Sequence, residues 1–294
     1  MSEGCEIYMD KDIYHPGDVV SGRVECTFPS ECKINAIRVV FRGRAKVYWK
    51  EGRYTVYQDD KVYFQKESEL LESETIFNPG IYNYTFTFAL PETLPSSMEE
   101  THGNVRYKVI AIVGRTWAMD YVSRFLFTVY SMNNLNLMGH LNRPVKYEVE
   151  KTPFALFGEP PPIKVIINLA RNGFFFDEFI PFSAKVVNRS AVNIEEIRFK
   201  IIQGYSFHVR KHSIQHCSYT SPEYAIIDSG VSAESEDEWG LELRVPSDIF
   251  IGSFDDCEMI KIFWKLRGEV CLPFPHTNFT IDVPLVLGDR MTEA

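Results

Sequence analysis

Three histidines at a spacing of four, His208, His212 and His216, with Cys217 beside the last, form the chain's nearest approach to a metal-ligand pattern. On a helix, residues four apart share a face, and zinc accepts both imidazole and thiolate. The surrounding segment, FKIIQGYSFHVRKHSIQH, follows a strand signal and carries β-branched and aromatic residues. On a strand, positions four apart stand roughly 13 Å from each other, too far to share one ion. A strand is therefore expected here, and a metal-dependent hydrolase is the weakest reading of the chain. Glu234, Glu236, Asp237 and Glu238 lack the glycine and ligand spacing of a calcium loop and are expected in a solvated turn before a strand at Trp239. No G-x-S-x-G, phosphate-binding glycine loop or H-E-x-x-H occurs. With no nucleophile beside a base, neither an enzyme nor a resident cofactor or metal is expected.

A binding pattern is clearer. Arg38, Arg42, Arg44 and Lys46 alternate with Val39, Phe41, Gly43, Ala45 and Val47, so a strand through them has one apolar face and one basic stripe. The stripe reads either as an anion dock, for phosphorylated protein tails or anionic lipid headgroups, or as a solvated face whose cations discourage edge pairing. The chain as a whole carries a formal charge of -9, which argues against a nucleic-acid partner.

The elements that hold these residues repeat. FALPETLP at Phe88–Pro95 and LRVPSDIF at Leu243–Phe250 place Pro91 and Pro246 at the end of an apolar run, at an offset of 155 residues. Nearer the start of each copy, Asp18 meets Glu178 and Ile34-x-x-Ile37-Arg38 meets Ile194-x-x-Ile197-Arg198, at an offset of 160. A repeat of this length in 294 residues predicts two similar domains in tandem. Period-two runs such as DVVSGRVECTF, INAIRVVFRGRAKVYW, IYNYTFTFAL, NVRYKVIAIV and SRFLFTVY, with 22 Phe and 15 Tyr, predict an all-β sandwich in each. The expected divisions are a first domain over 1–145, a linker over 146–162 centred on Pro160, Pro161 and Pro162, and a second domain over 163–290. Phe154, Leu156 and Phe157 in that linker are expected to be buried between the domains rather than to touch a membrane or a cargo helix.

The acidic start MSEGCEIYMDKD is unlike a signal peptide, and no 18-residue apolar stretch predicts a transmembrane helix. Six cysteines without a C-x-x-C pair read as reduced thiols; the sequons at Asn83, Asn188 and Asn278 would be acceptors only in a secreted protein, and Asn83 and Asn278, in or beside predicted strands, read as chance occurrences. A secreted or cell-surface sandwich with disulfides and glycans is the alternative.

Several of these motifs carry a resemblance. YHPGDVVSGRV, INAIRVVFRGRAKVYW, PGIYNYTFTFALPETLPSSMEETHGNVRYKVIAIVGRTW and the closing VPLVLG resemble the arrestin-domain-containing proteins, the α-arrestins, over residues 7–288. The resemblance implies two tandem arrestin-like (immunoglobulin-like) β-sandwich domains. It implies a non-catalytic adaptor in the cytoplasm, recruited to the plasma membrane or endosomes, that binds receptor or transporter tails and passes them to endocytic or ubiquitination machinery. A retromer-type subunit shares the architecture and fits the motifs less well. Many α-arrestins recruit ubiquitin ligases through P-P-x-Y motifs, which this sequence lacks: Pro160, Pro161 and Pro162 are followed by Ile163. Either the adaptor works without that ligase contact, or it reaches a ligase through a partner; other arrestins are a further expected partner. The basic N-domain surface of the receptor-binding arrestins gives Arg38, Arg42, Arg44 and Lys46 their implied role as a cargo or anion site.

Overall fold

The computed structural model describes residues 4–116, 118–133, 143–155, 158, 160–175, 177–209, 214–246 and 252–289, the side chains of 214–224 excepted. Two compact units divide the chain. The first comprises Met1–Ser131 together with Ser206–Gln215 and Gly252–Lys261, and the second Met132–Tyr205, His216–Ile251 and Ile262–Ala294. Among the described residues there is no helix, and so none long and apolar enough to cross a membrane.

The N-terminal half contains β1 (Gly4–Met9), β2 (Ile13–Tyr14), β3 (Val19–Phe28), β4 (Cys32–Glu51), β5 (Thr55–Leu71), β6 (Thr75–Phe77), β7 (Gly80–Ala89), β8 (Met98–Glu100), β9 (Gly103–Arg115) and β10 (Tyr121–Val129). They form a sheet β1-β3-β7 and a sheet β2-β10-β9-β4-β5, to which β6 and β8 add short pairings. The C-terminal half contains β11 (Val145–Lys151), β12 (Ile163–Leu169), β13 (Gly173–Phe175), β14 (Phe179–Asn188), β15 (Glu196–His208), β16 (Ile214–Ile227), β17 (Ser235–Arg244), β18 (Ile260–Cys271) and β19 (Phe279–Gly288). Their sheets run β11-β12-β14-β17 and β13-β19-β18-β15-β16. The alternation that defines the strands also makes the cores: in β12, Ile163, Val165, Ile167 and Leu169 point inward with at most 2% exposure, opposite Asn188, Val186, Ala184 and Phe182 of β14 in that order.

The two sequence offsets have a physical counterpart. The Leu90 N–H donates to the Asp18 carbonyl at 2.9 Å, and the Val245 N–H donates to the Glu178 carbonyl at 2.8 Å. The Asp18 carboxylate accepts from the His15 N–H, and the Glu178 carboxylate from the Phe175 N–H, both at 2.9 Å. Each acidic side chain thus closes the turn that sends a parallel bridging strand, β2 or β13, into the long one that follows. The proline after Leu90 cannot continue the ladder. The Tyr107 hydroxyl of β9 then donates to the Pro95 carbonyl at 2.7 Å and ties the corner to the opposite sheet.

Three expectations meet a different structure. Residues 146–151, read from the sequence as linker, lie in β11, because Val145, Tyr147 and Val149 alternate and pack on the second core while their main chain pairs with β12. Glu236, Asp237 and Glu238 are not in a turn: β17 begins at Ser235, since β14 keeps pairing as far as Asn188, and only Glu234 is left outside, with φ 56°. Phe154 is 63% exposed, because Pro153 takes the buried position; Leu156 and Phe157 fall outside the described residues. Asn188 is 1% exposed, and its amide donates to the Val192 and Ser232 carbonyls at 2.8 and 3.0 Å, a closure of the β14 turn that leaves it no access to solvent.

Candidate basic site

β4 presents its alternation as the sequence implies: Val39, Phe41, Ala45 and Val47 are at most 1% exposed, while Arg38, Arg42, Arg44 and Lys46 point to the outer face. The ladder decides what stands beside each cation. On one side β5 brings acids, so Arg38 pairs with Glu67 at 3.1 Å and the Arg44 Nε stands 3.1 Å from Asp60, an ion pair bent too far to be a hydrogen bond. On the other side β9 brings more cations: Arg42 lies opposite Lys108, and Arg44 opposite Arg106. β10 adds Leu126 opposite Lys108, and Arg124 two residues along, opposite Ile110.

The result is a hollow of about 440 Å³ on the outer face of β4, β9 and β10, lined by Arg42, Arg44, Lys46 and Asn104 with Arg106, Lys108, Arg124 and Leu126. Its charges are unevenly answered. Arg106 is held by Glu99, with one of the two bonds at 2.7 Å. Among the described residues, no carboxylate pairs with Arg42, Lys46, Lys108 or Arg124. The Arg42 Nε is shielded from solvent without a hydrogen-bond partner. Burial, followed by the charges of Arg42, Arg124, Arg44 and Arg106, holds the Lys108 ammonium below its ordinary pKa. Lys46 lies 5.9 Å from the Tyr48 ring centre.

The linear stripe is thus divided by the tertiary structure. Arg42 and Lys46 belong to an unneutralised patch, Arg44 contributes to its wall while paired, and Arg38 is occupied with Glu67. Lys108 and Arg124 were not singled out in the sequence. Lys108 alternates with Tyr107 and Val109 in the quoted NVRYKVIAIV, so its outward direction is legible there, but its register with Arg42 is not.

His208 closes β15, where its N–H donates to the Met259 carbonyl at 2.8 Å and its ring lies 3.1 Å from the Ser206 hydroxyl. His216 and Cys217 lie in β16, without described side chains, and His212 is outside the described residues. Among the described residues no three histidine, cysteine or acidic groups are arranged to hold a metal. Cys5 and Cys26 face each other across β1 and β3 as free thiols, and burial pushes the Cys26 thiol up to about 12.

Paired sandwiches with this repeated strand order and cross-linked proline corner define an arrestin architecture. Residues 5–136 match the family described as "Arrestin (or S-antigen), N-terminal domain", and residues 159–290 match "Arrestin (or S-antigen), C-terminal domain". The chain belongs to the arrestin family and is α-arrestin-like. Arrestin domain-containing protein 17 of Caenorhabditis elegans is 27% identical over 295 residues, covering 94% of this chain and 67% of that protein. Arrestin domain-containing protein 1 of Rattus norvegicus is 23% identical over 94% of this chain, which spans 62% of that relative. Thioredoxin-interacting protein of Homo sapiens is 26% identical over 95% of this chain and 72% of its own length.

Proposed function

We propose that the protein is a non-catalytic adaptor that holds the tail of a membrane-protein cargo and links it to endocytic transport or ubiquitination machinery. The observation that carries this reading is the arrestin sandwich in both halves. It works in the cytoplasm and is recruited to the plasma membrane or endosomes by its cargo. Its further partners are a ubiquitin ligase reached by an indirect route and other arrestins.

The first unit offers a place for an extended tail. In the second unit β12 is paired on its outer side with β11, whereas β1, its counterpart, pairs with β3 alone among the described residues. A tail that adds beside β1 gains main-chain hydrogen bonds, and multiple weak contacts at a membrane raise the total affinity. The basic patch around Arg42 and Lys46 supplies an anion site near the membrane.

The test is affinity purification of the tagged chain from its own cells, compared with an unrelated β-sandwich. Enrichment of specific membrane proteins together with trafficking or ubiquitination components is expected. Absence of both classes would overturn the adaptor reading.

A further inference from the structure

We propose that the hollow on the outer face of β4, β9 and β10 binds the phosphorylated headgroup of an anionic membrane lipid, with Leu126 and Val122 resting against the bilayer beside it. This rests on the reading that the protein works at a membrane.

The first argument is charge left unanswered. Arg38, Arg44 and Arg106 each have an acid, while Arg42, Lys108 and Arg124, brought together from three strands, have none. Mutual repulsion and partial burial disfavour the charged Lys108, and the Arg42 Nε lacks an acceptor. Such a cluster weakens the folded state, and a multiply charged anion relieves all three groups at once. Phosphate suits them because the guanidinium fork of Arg42 matches its oxygens and Lys108 adds a point charge. The net charge of -9 makes the patch an exception to the rest of the molecule.

The second argument separates a membrane from a phosphopeptide. β4 lies between β5 and β9, and β9 between β4 and β10, whereas β2 pairs with β10 only at Thr128 and Val129. The main-chain groups of the two strands that carry Arg42 and Lys108 are committed to the ladders, so a peptide cannot add there as a strand and would have only side chains to hold it at those cations. A compact headgroup needs nothing more. Leu126, 60% exposed, and Val122, 41% exposed, stand on the same face as Arg124. Aliphatic groups among cations are the combination that favours a headgroup interface.

The experiment is flotation of the full chain with vesicles of phosphatidylcholine alone or containing a phosphatidylinositol phosphate. The parent is expected to float only with the anionic vesicles and to be released by salt. Each cation contributes about fivefold, so Arg42→Gln/Lys108→Gln/Arg124→Gln lowers the affinity on the order of 100-fold. Its melting midpoint should equal or exceed the parent's, because the removed charges repel one another. Should that variant melt lower, Arg124→Gln alone, at an exposed position, decides by its fivefold loss. Leu126→Asn is expected to weaken flotation as well, and Lys164→Gln, a paired cation of the second unit, to leave it unchanged.

Failure of the parent to float, or undiminished flotation of the triple variant and of Arg124→Gln, would overturn the proposal. So would a hollow that takes a soluble inositol phosphate or a doubly phosphorylated peptide but no vesicle, since each reassigns the ligand. Cargo recovered equally by the triple variant and the parent would leave the adaptor reading standing while the vesicle result judges the hollow alone.

Discussion

Cross-strand partners determine whether a charged side chain stabilises this fold or burdens it. Asp282 of β19 lies opposite Arg267 of β18 and receives two bonds from its guanidinium, at 2.6 and 2.7 Å, with Lys265 at 2.6 Å. These hydrogen bonds and charges hold its carboxyl below the ordinary 3.8, against the opposing effect of burial. A depressed carboxyl pKa means that the unfolded chain binds the proton more readily. Its contribution is therefore complete above the unfolded value and fades as pH falls through 3.8 toward the folded one. With the cluster about one-third exposed, solvent screening limits Asp282→Asn to about 1 kcal/mol of lost stability at neutral pH. Urea unfolding at neutral pH should resolve that loss, and the gap between parent and variant should close in acid. A gap that persists there would show that charge is not its source. The cations around Lys108 are the opposite case, since their neighbours across the ladder have the same sign.

Turns place the strands of this fold, and some of their positions admit only glycine. Gly230, at φ +60°, precedes the bridge in which Ile194 and Val231 exchange hydrogen bonds of 2.8 and 3.1 Å. An added Cβ would lie 2.0 Å from the Ile194 carbonyl oxygen, an atom of the bridge itself. Gly52, at φ +63°, has nothing within 4 Å of the same added atom. Gly52→Ala should therefore cost about 1 kcal/mol for its left-handed backbone alone. Gly230→Ala should cost about 3 kcal/mol, because the backbone must also move. Denaturant unfolding followed by tryptophan fluorescence separates the two, and equal losses would refute the steric account. The sequence DSGV at 228–231 marks a turn, yet neither its hand nor its closeness to Ile194 is visible there.

At the scale of the molecule, the first unit does not end where the N-terminal repeat ends. Phe254, Cys257 and Met259, at 5, 0 and 7% exposure, belong to it, and Phe207 stands against Gly103 and His102. Ser96 donates its N–H to the Ser253 carbonyl at 3.0 Å, and Ser253 donates to the Ser131 carbonyl at 2.8 Å. A chain cut after residue 145 loses this cover and leaves the proline corner around Ser96 open to water. Amide exchange at Tyr107 and Val109 should be faster in that fragment than in the full chain, and its melting should come at lower temperature. Equal protection would show that the N-terminal half is self-sufficient.

Periodicity and repetition are local properties, and from them the chain itself determined its all-β class, the two tandem sandwiches, the outward direction of Arg42 and Lys46, and the corners at Pro91 and Pro246. Alternation dictates which face a side chain takes whatever the partner strand. Register and pairing are long-range, and only the tertiary structure decided them. It set Glu67 and Asp60 against Arg38 and Arg44, placed Lys108 and Arg124 around Arg42, and brought residues 252–261 into the first unit. Period two alone does not say which residues stand side by side, because that depends on how strands far apart in sequence align once their apolar faces are buried together.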